Sequence, residues 1–289
     1  MSIRDELGTR MKTFYEAVPD IKLVKRMPVA IRIDGKAFHT FTRGFKRPFD
    51  EVLIKTMQET TQCLCQNIQG CVLGYTQSDE ITLILVDYQT LTTDAWFDYR
   101  VEKLCSIAAS MATMAFNKYF YDNVFMYNAT AAVDLSNKEY PFKEVYCKAV
   151  NKSAMFDARC FNIPKEEVTN LIYWRQLDAS RNSVQMVGQA YFSQDELQDK
   201  TCSDIQDMLM TQKGVNWNDF PTYQKRGSCC IKTKENITEI NSVEKMKFGE
   251  DKKNTVINIE HPHWIIDKEI PMFKGEGREY IDKLIYVGD

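Results

Sequence analysis

The chain predicts an α+β fold: a ferredoxin-like βαββαβ antiparallel sheet with helices on one face, followed by a helical and β-rich C-terminal extension. Three observations carry that expectation. Val29, Ile31 and Ile33 alternate with Ala30 and Arg32, the period of a half-buried strand. "CVLGYTQSDEITLILV" (71–86) holds two β-rich runs joined by the polar "QSDE", which reads as a hairpin with Asp79 near its tip. Between these runs and beyond them lie stripes of helical spacing, so strands and helices come in the order β-α-β-β-α-β.

Taken in order, the first strand ends abruptly in Asp34-Gly35. Asp50 then sits where a helix cap belongs, ahead of Leu53, Met57, Leu64 and Ile68, and predicts a helix over 50–68. The hairpin follows. Phe97, Val101, Leu104, Ala108, Met111 and Ala115 give an i, i+4, i+7 stripe that predicts a second helix over 95–120, with Arg100 and Lys103 beside it. Residues 128–134 and 143–162 hold further strand candidates, "AMFDARCFNIP" the strongest. A long helix is expected over 165–192 after Pro164, and a shorter one over 203–212. From about residue 231 charge is dense and mixed, which reads as a peripheral extension or mobile loop. Residues 1–164 thus form one unit and 165–289 a helical segment and extension packed on it, the two making one structural unit.

Composition narrows the classes. The hydrophobic fraction of 44% and charged fraction of 27% are those of an ordinary soluble domain, and no apolar run is long enough for a membrane span. The charged, amphipathic start "MSIRDELGTRMKTFYE" has no apolar signal region. Nine cysteines in no CxxC pattern read as buried small hydrophobes in a reducing, cytoplasmic setting. A net charge of −3 excludes a globally basic nucleic-acid binder but leaves room for a basic groove.

The chemistry centres on two acids. In a βαββ arrangement the first strand neighbours the hairpin, so Asp34 and Asp79 converge at one end of the sheet. Two carboxylates at close range repel unless one is protonated or a cation lies between them. Mg²⁺ with oxygen ligands satisfies that requirement, and Gly35 lets a backbone carbonyl approach as well. Such a site suits phosphoryl or nucleotidyl transfer. Asp-Gly is also a common turn dipeptide, and "QSDE" a plausible corner, so spacing alone leaves both readings open. Arg43, Lys46 and Arg47 in "RGFKRPFD", with Arg100 and Lys103, supply cations that a triphosphate wants, or an ordinary solvated face.

Several stretches in register then carry a family resemblance. "RIDGKAFHTF", "KRPFD" and "GYTQSDE", followed by "FDARCFNIP", "YWRQLDASRNSVQ", "KGVNWND" and "YQKRG", resemble the tRNA-His guanylyltransferase family over roughly residues 5–230. The resemblance implies a palm-like catalytic domain over 1–164 that adds nucleotides in the 3′-to-5′ direction. In such enzymes ATP or GTP activates a 5′-monophosphorylated RNA end, and the 3′-hydroxyl of an incoming nucleotide attacks it. Carried over by motif, Asp34 and Asp79 are the catalytic acids. They hold two Mg²⁺ ions with Gly35, and Glu80 is a further, weaker candidate ligand. Lys36, Ala37, Phe38, His39, Arg47, Asp50, Ser78, Arg100 and Lys103 fall at nucleotide-binding positions. Arg175, Arg181, Asn182, Lys225 and Arg226 are candidate RNA contacts. Read without the family, "WRQLDASRN" gives a buried Trp174 with Arg175 and Arg181 on the surface.

One departure matters. Where the eukaryotic enzymes carry H-I-N-N-L-Y-N, this chain has Ser180 at the histidine position within "ASRNSVQ", and Ile205 stands where they have a lysine. "DASRNSVQ" resembles the bacterial, archaeal and phage guanylyltransferase-like branch. That branch implies template-directed repair of 5′-truncated tRNA. The expected partners are the tRNA 5′ end, nucleoside triphosphates and further copies of the chain, as a homotetramer, with no membrane. Alternatives are non-templated guanosine addition to tRNA-His, a palm-type nucleotide cyclase acting on free NTP, or a catalytically silent RNA-binding module.

Overall fold

The computed structural model describes residues 3–133, 142–240 and 256–287. Six strands form one antiparallel sheet: β1 (Val29–Gly35), β2 (Cys71–Gln77), β3 (Glu80–Leu85), β4 (Phe156–Asn162), β5 (Ser228–Ile240) and β6 (Val256–Asp267). Their order is β4-β1-β3-β2-β5-β6, so the first four strands carry the 4-1-3-2 arrangement of a βαββαβ unit. The helices are α1 (Ile3–Met11), α2 (Phe38–Phe41), α3 (Glu51–Asn67), α4 (Val101–Val133), α5 (Lys143–Lys152), α6 (Lys165–Tyr191), α7 (Gln194–Leu197), α8 (Cys202–Met208), α9 (Thr222–Arg226) and α10 (Glu279–Ile285).

Helices α3 and α4 lie on one face, as the pattern predicts. Val29, Ile31, Ile33, Ile81, Leu83 and Leu85 point to that face and share a core with Met57, Leu64, Leu104, Ala108, Phe116 and Phe120. Asp50 caps α3, accepting from the Leu53 N–H at 2.9 Å. The opposite face is not left open. Val168 and Ile172 of α6 and Ile281 and Ile285 of α10 cover Ala30, Leu73, Tyr75, Ile84 and Val86. A third, smaller core joins Phe49 to Val184 and Val187 of α6 and to Ile205. Among the described residues, no helix is long and apolar enough to cross a membrane.

Four expectations on element boundaries change. Residues 128–133 are not a strand but the last turns of α4; residue 134 lies outside the described residues. Ala129, Ala131 and Ala132 are strong helix formers, and an existing helix is extended cheaply. The helix starts at Val101 rather than 95, because Phe97, Asp98 and Tyr99 take positive φ in a preceding turn. Residues 143–152 are helix α5, whose Tyr146 and Ala149 lie three apart on its buried side, and the strand begins only at Phe156. Finally, residues 231–240 of the charged run are strand, paired with β6 in continuous register from Cys229↔Asp267 to Ile240↔Val256, while residues 241–255 lie outside the described residues. The shorter helix over 203–212 is α8 followed by a wider turn over Leu209–Lys213.

Candidate active site

One end of the sheet gathers the acids. Asp34 stands opposite Glu80 of β3 on one side and Asp157 of β4 on the other. The Gly35 N–H donates to the Asp79 carbonyl at 3.1 Å, which ties the end of β1 to the β2–β3 turn. That turn has two residues, and Ser78 adopts φ 50° to make it. Its hydroxyl donates to the Asp79 carboxylate at 3.0 Å. Beyond Asp34 the chain must turn at once. A Cβ on Gly35 would lie 2.2 Å from the Phe38 ring, and Phe38 is locked among Phe41, Phe116 and Phe156. Only glycine lets the ring close over the turn.

The electrostatics are strained in one direction. Burial, then the charges of Glu80 and Asp157, push Asp34 above the usual carboxyl range, against Arg159 and Arg32. Burial also raises Asp79, against hydrogen bonds from Ser78 and its own backbone, with Asp34 and Glu80 adding to the rise. A cation beside both would relieve this. The donor set fits a hard divalent ion: two carboxylates and a backbone carbonyl at Gly35, all oxygen. Among the described residues no three His, Cys, Asp or Glu side chains converge on a metal position.

Glu80, the weaker candidate ligand, is engaged by two arginines. Both its oxygens are held by Arg175, Nε to Oε1 and Nη2 to Oε2 at 2.7 Å each, and Arg32 adds 3.0 Å to Oε2. Asp50, a candidate nucleotide contact, is engaged likewise. It is buried, and its carboxylate accepts from the Leu53 and Lys46 N–H groups and the Tyr146 hydroxyl. Arg175 is only 6% exposed and Lys225 9%, so neither offers RNA a free cation. Lys225 instead donates to the Asn218 carbonyl and lies over the Trp217 ring. The Arg226 carbonyl accepts from Tyr75, and its side chain is half-buried. Arg181 is exposed and paired with Asp178; Asn182 is half-buried.

The remaining positions divide. Lys36, Ala37 and His39 are exposed on the turn directly after Asp34, and Ala37 takes φ 52° there; the Phe38 side chain points into the core. Arg47 lines a cleft of about 770 Å³ with Gln185 and Gln189 of α6. Arg100 and Lys103 are not beside the acids. Cys105 meets Cys160 and Thr113 meets the Phe156 N–H, so α4 begins at the Val29 end of the sheet. Five strand residues at about 3.3 Å each separate that end from Asp34 by ~17 Å. There Arg100 pairs with Asp20 at 3.3 Å and, with Lys103 and Lys12, edges a second cleft.

Two residues escaped the sequence reading. Asp157 and Arg159 alternate with Phe156, Ala158 and Cys160, and period 2 turns them to the face that carries Asp34. Arg159 lies 3.9 Å from Asp34 and 3.7 Å from Asp157. Trp174 is the reverse of its expectation: it is 52% exposed, while its neighbour Arg175 is buried.

Known proteins share this fold. The family model described as tRNAHis guanylyltransferase matches residues 8–164. The chain belongs to the tRNA(His) guanylyltransferase family. It is accordingly a nucleotidyltransferase. It is similar to a bacterial tRNA(His) guanylyltransferase-like protein solved in complex with ATP, at 38% identity and TM-score 0.74, covering 98% of this chain and 100% of that one. The same description holds for a bacterial complex with GTP, at 37% identity and TM-score 0.71, with the same coverage. An uncharacterised protein of Acanthamoeba polyphaga mimivirus is 30% identical over 236 residues, 78% of this chain and 76% of that protein. The tRNA(His) guanylyltransferase of Saccharomyces cerevisiae is 27% identical over 229 residues, 74% of this chain and 86% of that protein.

Proposed function

We propose that this chain is a metal-dependent, template-directed enzyme that adds nucleotides 3′-to-5′ to the 5′ end of tRNA, and that it serves to repair 5′-truncated tRNA. The observation that carries this reading is the full-length similarity to the bacterial guanylyltransferase-like protein bound to ATP and GTP. It is supported by Ser180 and Ile205, which depart from the eukaryotic pattern. ATP and GTP are read as substrates. Asp34, the Gly35 carbonyl and Asp79 would hold two Mg²⁺ ions, which when bound lower the pKa of an attacking 3′-hydroxyl and neutralise triphosphate charge.

The chain's own residues divide the remaining work. Asp34 and Asp79 sit at a strand end and a tight turn, rigid elements that keep their carboxylates oriented. Arg175 and Arg32 hold Glu80 and so fix the start of β3, the strand that leaves Asp79. Lys36 and Arg159 are exposed cations on the rim, suited to phosphate oxygens. A homotetramer is in keeping with exposed Met114, Tyr121 and Phe125 along one side of α4 and with Phe14, Tyr15 and Val18 near the N-terminus. A cytoplasmic site of action accords with nine free cysteines.

The test is incubation with a 5′-monophosphorylated tRNA lacking its first nucleotide, offering each NTP in turn, with and without chelator. Extension by one nucleotide, lost with chelator and in Asp34→Ala and Asp79→Ala, is expected. Cyclic product from NTP alone, or extension that survives both variants, would defeat the reading.

A further inference from the structure

Trp174 has a setting that its neighbours on α6 do not share. The buried side of that helix runs through Val168, Ile172, Arg175, Gln176 and Ala179. Trp174 lies at its border with more than half its surface open to solvent. An aromatic of this size normally contributes by burial. Here it rests on charge instead: the Arg175 guanidinium carbon is 4.6 Å and that of Arg32 5.4 Å from the ring centroid. Both cations are pinned in turn by Glu80 at 2.7 and 3.0 Å, and Arg175 also by Asp178 at 3.0 Å. The ring is thus fixed from beneath while its remaining surface is exposed.

Its position gives that surface a use. Arg32 is two residues before Asp34 on β1, and residues i and i+2 share a face of a strand. Trp174 therefore stands over the same sheet face as the acids, one strand repeat from Asp34. Arg159, directly opposite Arg32 on β4, is exposed on that face too. A rigid, exposed indole beside an exposed guanidinium, here held only at 3.9 and 3.7 Å by Asp34 and Asp157, is the pairing that takes a base on its π-face and a phosphate at its edge.

We infer that Trp174 is a stacking platform for a nucleobase at the reacting end of the substrate, oriented by Arg32, Arg175 and Glu80. This rests on the proposed function and names a residue that positions its substrate. Stacking is indifferent to base identity, which suits an enzyme whose incoming nucleotide is chosen by a template.

The experiment compares wild type, Trp174→Ala and Trp174→Phe in nucleotide addition to truncated 5′-monophosphorylated tRNA, with KM measured separately for RNA and for NTP. Trp174→Ala is expected to raise one KM about tenfold or more, while Trp174→Phe recovers most of the loss. A rise in KM for RNA assigns the base to the RNA end; a rise in KM for NTP assigns it to the incoming nucleotide. Tryptophan fluorescence of wild type should be quenched by that same ligand, and the quench should be absent in Trp174→Phe, which retains a ring but not the indole. The inference is overturned if Trp174→Ala leaves both KM values within twofold of wild type, or if kcat alone falls. A wild type that adds no nucleotide would overturn the proposed function instead; the quench then still reads stacking by itself, and its absence ends the inference.

Discussion

Replacing Glu80 by Gln separates a structural brace from a metal ligand. The substitution keeps the side chain's shape but removes the charge that Arg175 and Arg32 share. Arg175 would retain Asp178 at 3.0 Å, whereas Arg32 would have no ion pair among the described residues. Removing one partner of a buried pair costs about 3–5 kcal/mol, and the surviving Asp178 puts this case near ~3 kcal/mol. At about 2.1 cal/mol/K per residue the unfolding entropy of 289 residues is about 0.6 kcal/mol/K, so a fall of about 5 °C is expected. Thermal unfolding by circular dichroism reads that fall, and titration of activity with Mg²⁺ reads the metal requirement, which should stay within about twofold of wild type. Arg175→Met should be similarly destabilising. The Glu80→Gln/Arg175→Met pair should lose less than the sum, by roughly 0.5–3 kcal/mol, as expected for groups in contact. A Tm within about 2 °C of wild type together with a tenfold higher Mg²⁺ requirement would refute the brace and return Glu80 to the metal.

Other perturbations probe the same end of the sheet. Asp34 and Asp79 have folded-state pKa values raised above their unfolded ones, so stability from this source is present at low pH and lost as pH rises through the raised values. Without metal, Asp34→Asn/Asp79→Asn should therefore gain on wild type in urea midpoint between about pH 4 and pH 7; a constant difference across that range would contradict the shared strain. Gly35→Ala should cost about 1–3 kcal/mol through its clash with Phe38 and abolish nucleotide addition, whereas full activity would show that the turn tolerates a side chain. Lys225→Ala should lower Tm yet leave the salt dependence of RNA binding unchanged, because Lys225 is buried over Trp217. A shallower salt slope would make it a phosphate contact after all.

Much of this architecture was legible in local patterns. Alternation in 29–33 and the two runs around "QSDE" suffice for β1, β2 and β3, and Asp50 announces α3 as a cap. The convergence of Asp34 and Asp79 follows from that topology. The misreadings have physical causes. In 143–152 Val145, Tyr146 and Val150 favour strand by propensity, but Tyr146 finds Asp50 and a buried aromatic cluster, so tertiary packing decides for helix. Dense charge in 231–240 hides the strand, because "IKTKENITEI" carries no sustained apolar alternation. Glu80 and Arg175 are 95 residues apart, and no local signal shows a pairing at that range. Trp174 was within reach: it falls off the stripe through Val168, Ile172 and Ala179, which already sets it outside the core.

The central claim is that a templated nucleotide is joined at an RNA 5′ end by a site built on Asp34 and Asp79. The measurement that tests it most directly changes the template base opposite the vacant 5′ position of a truncated tRNA and identifies the nucleotide incorporated from an equal mixture of NTPs. The account predicts that the product switches to the complement of each new template base and that no product forms with Asp34→Ala or Asp79→Ala. Guanosine added whatever the opposing base, or addition that persists without either acid, would contradict it.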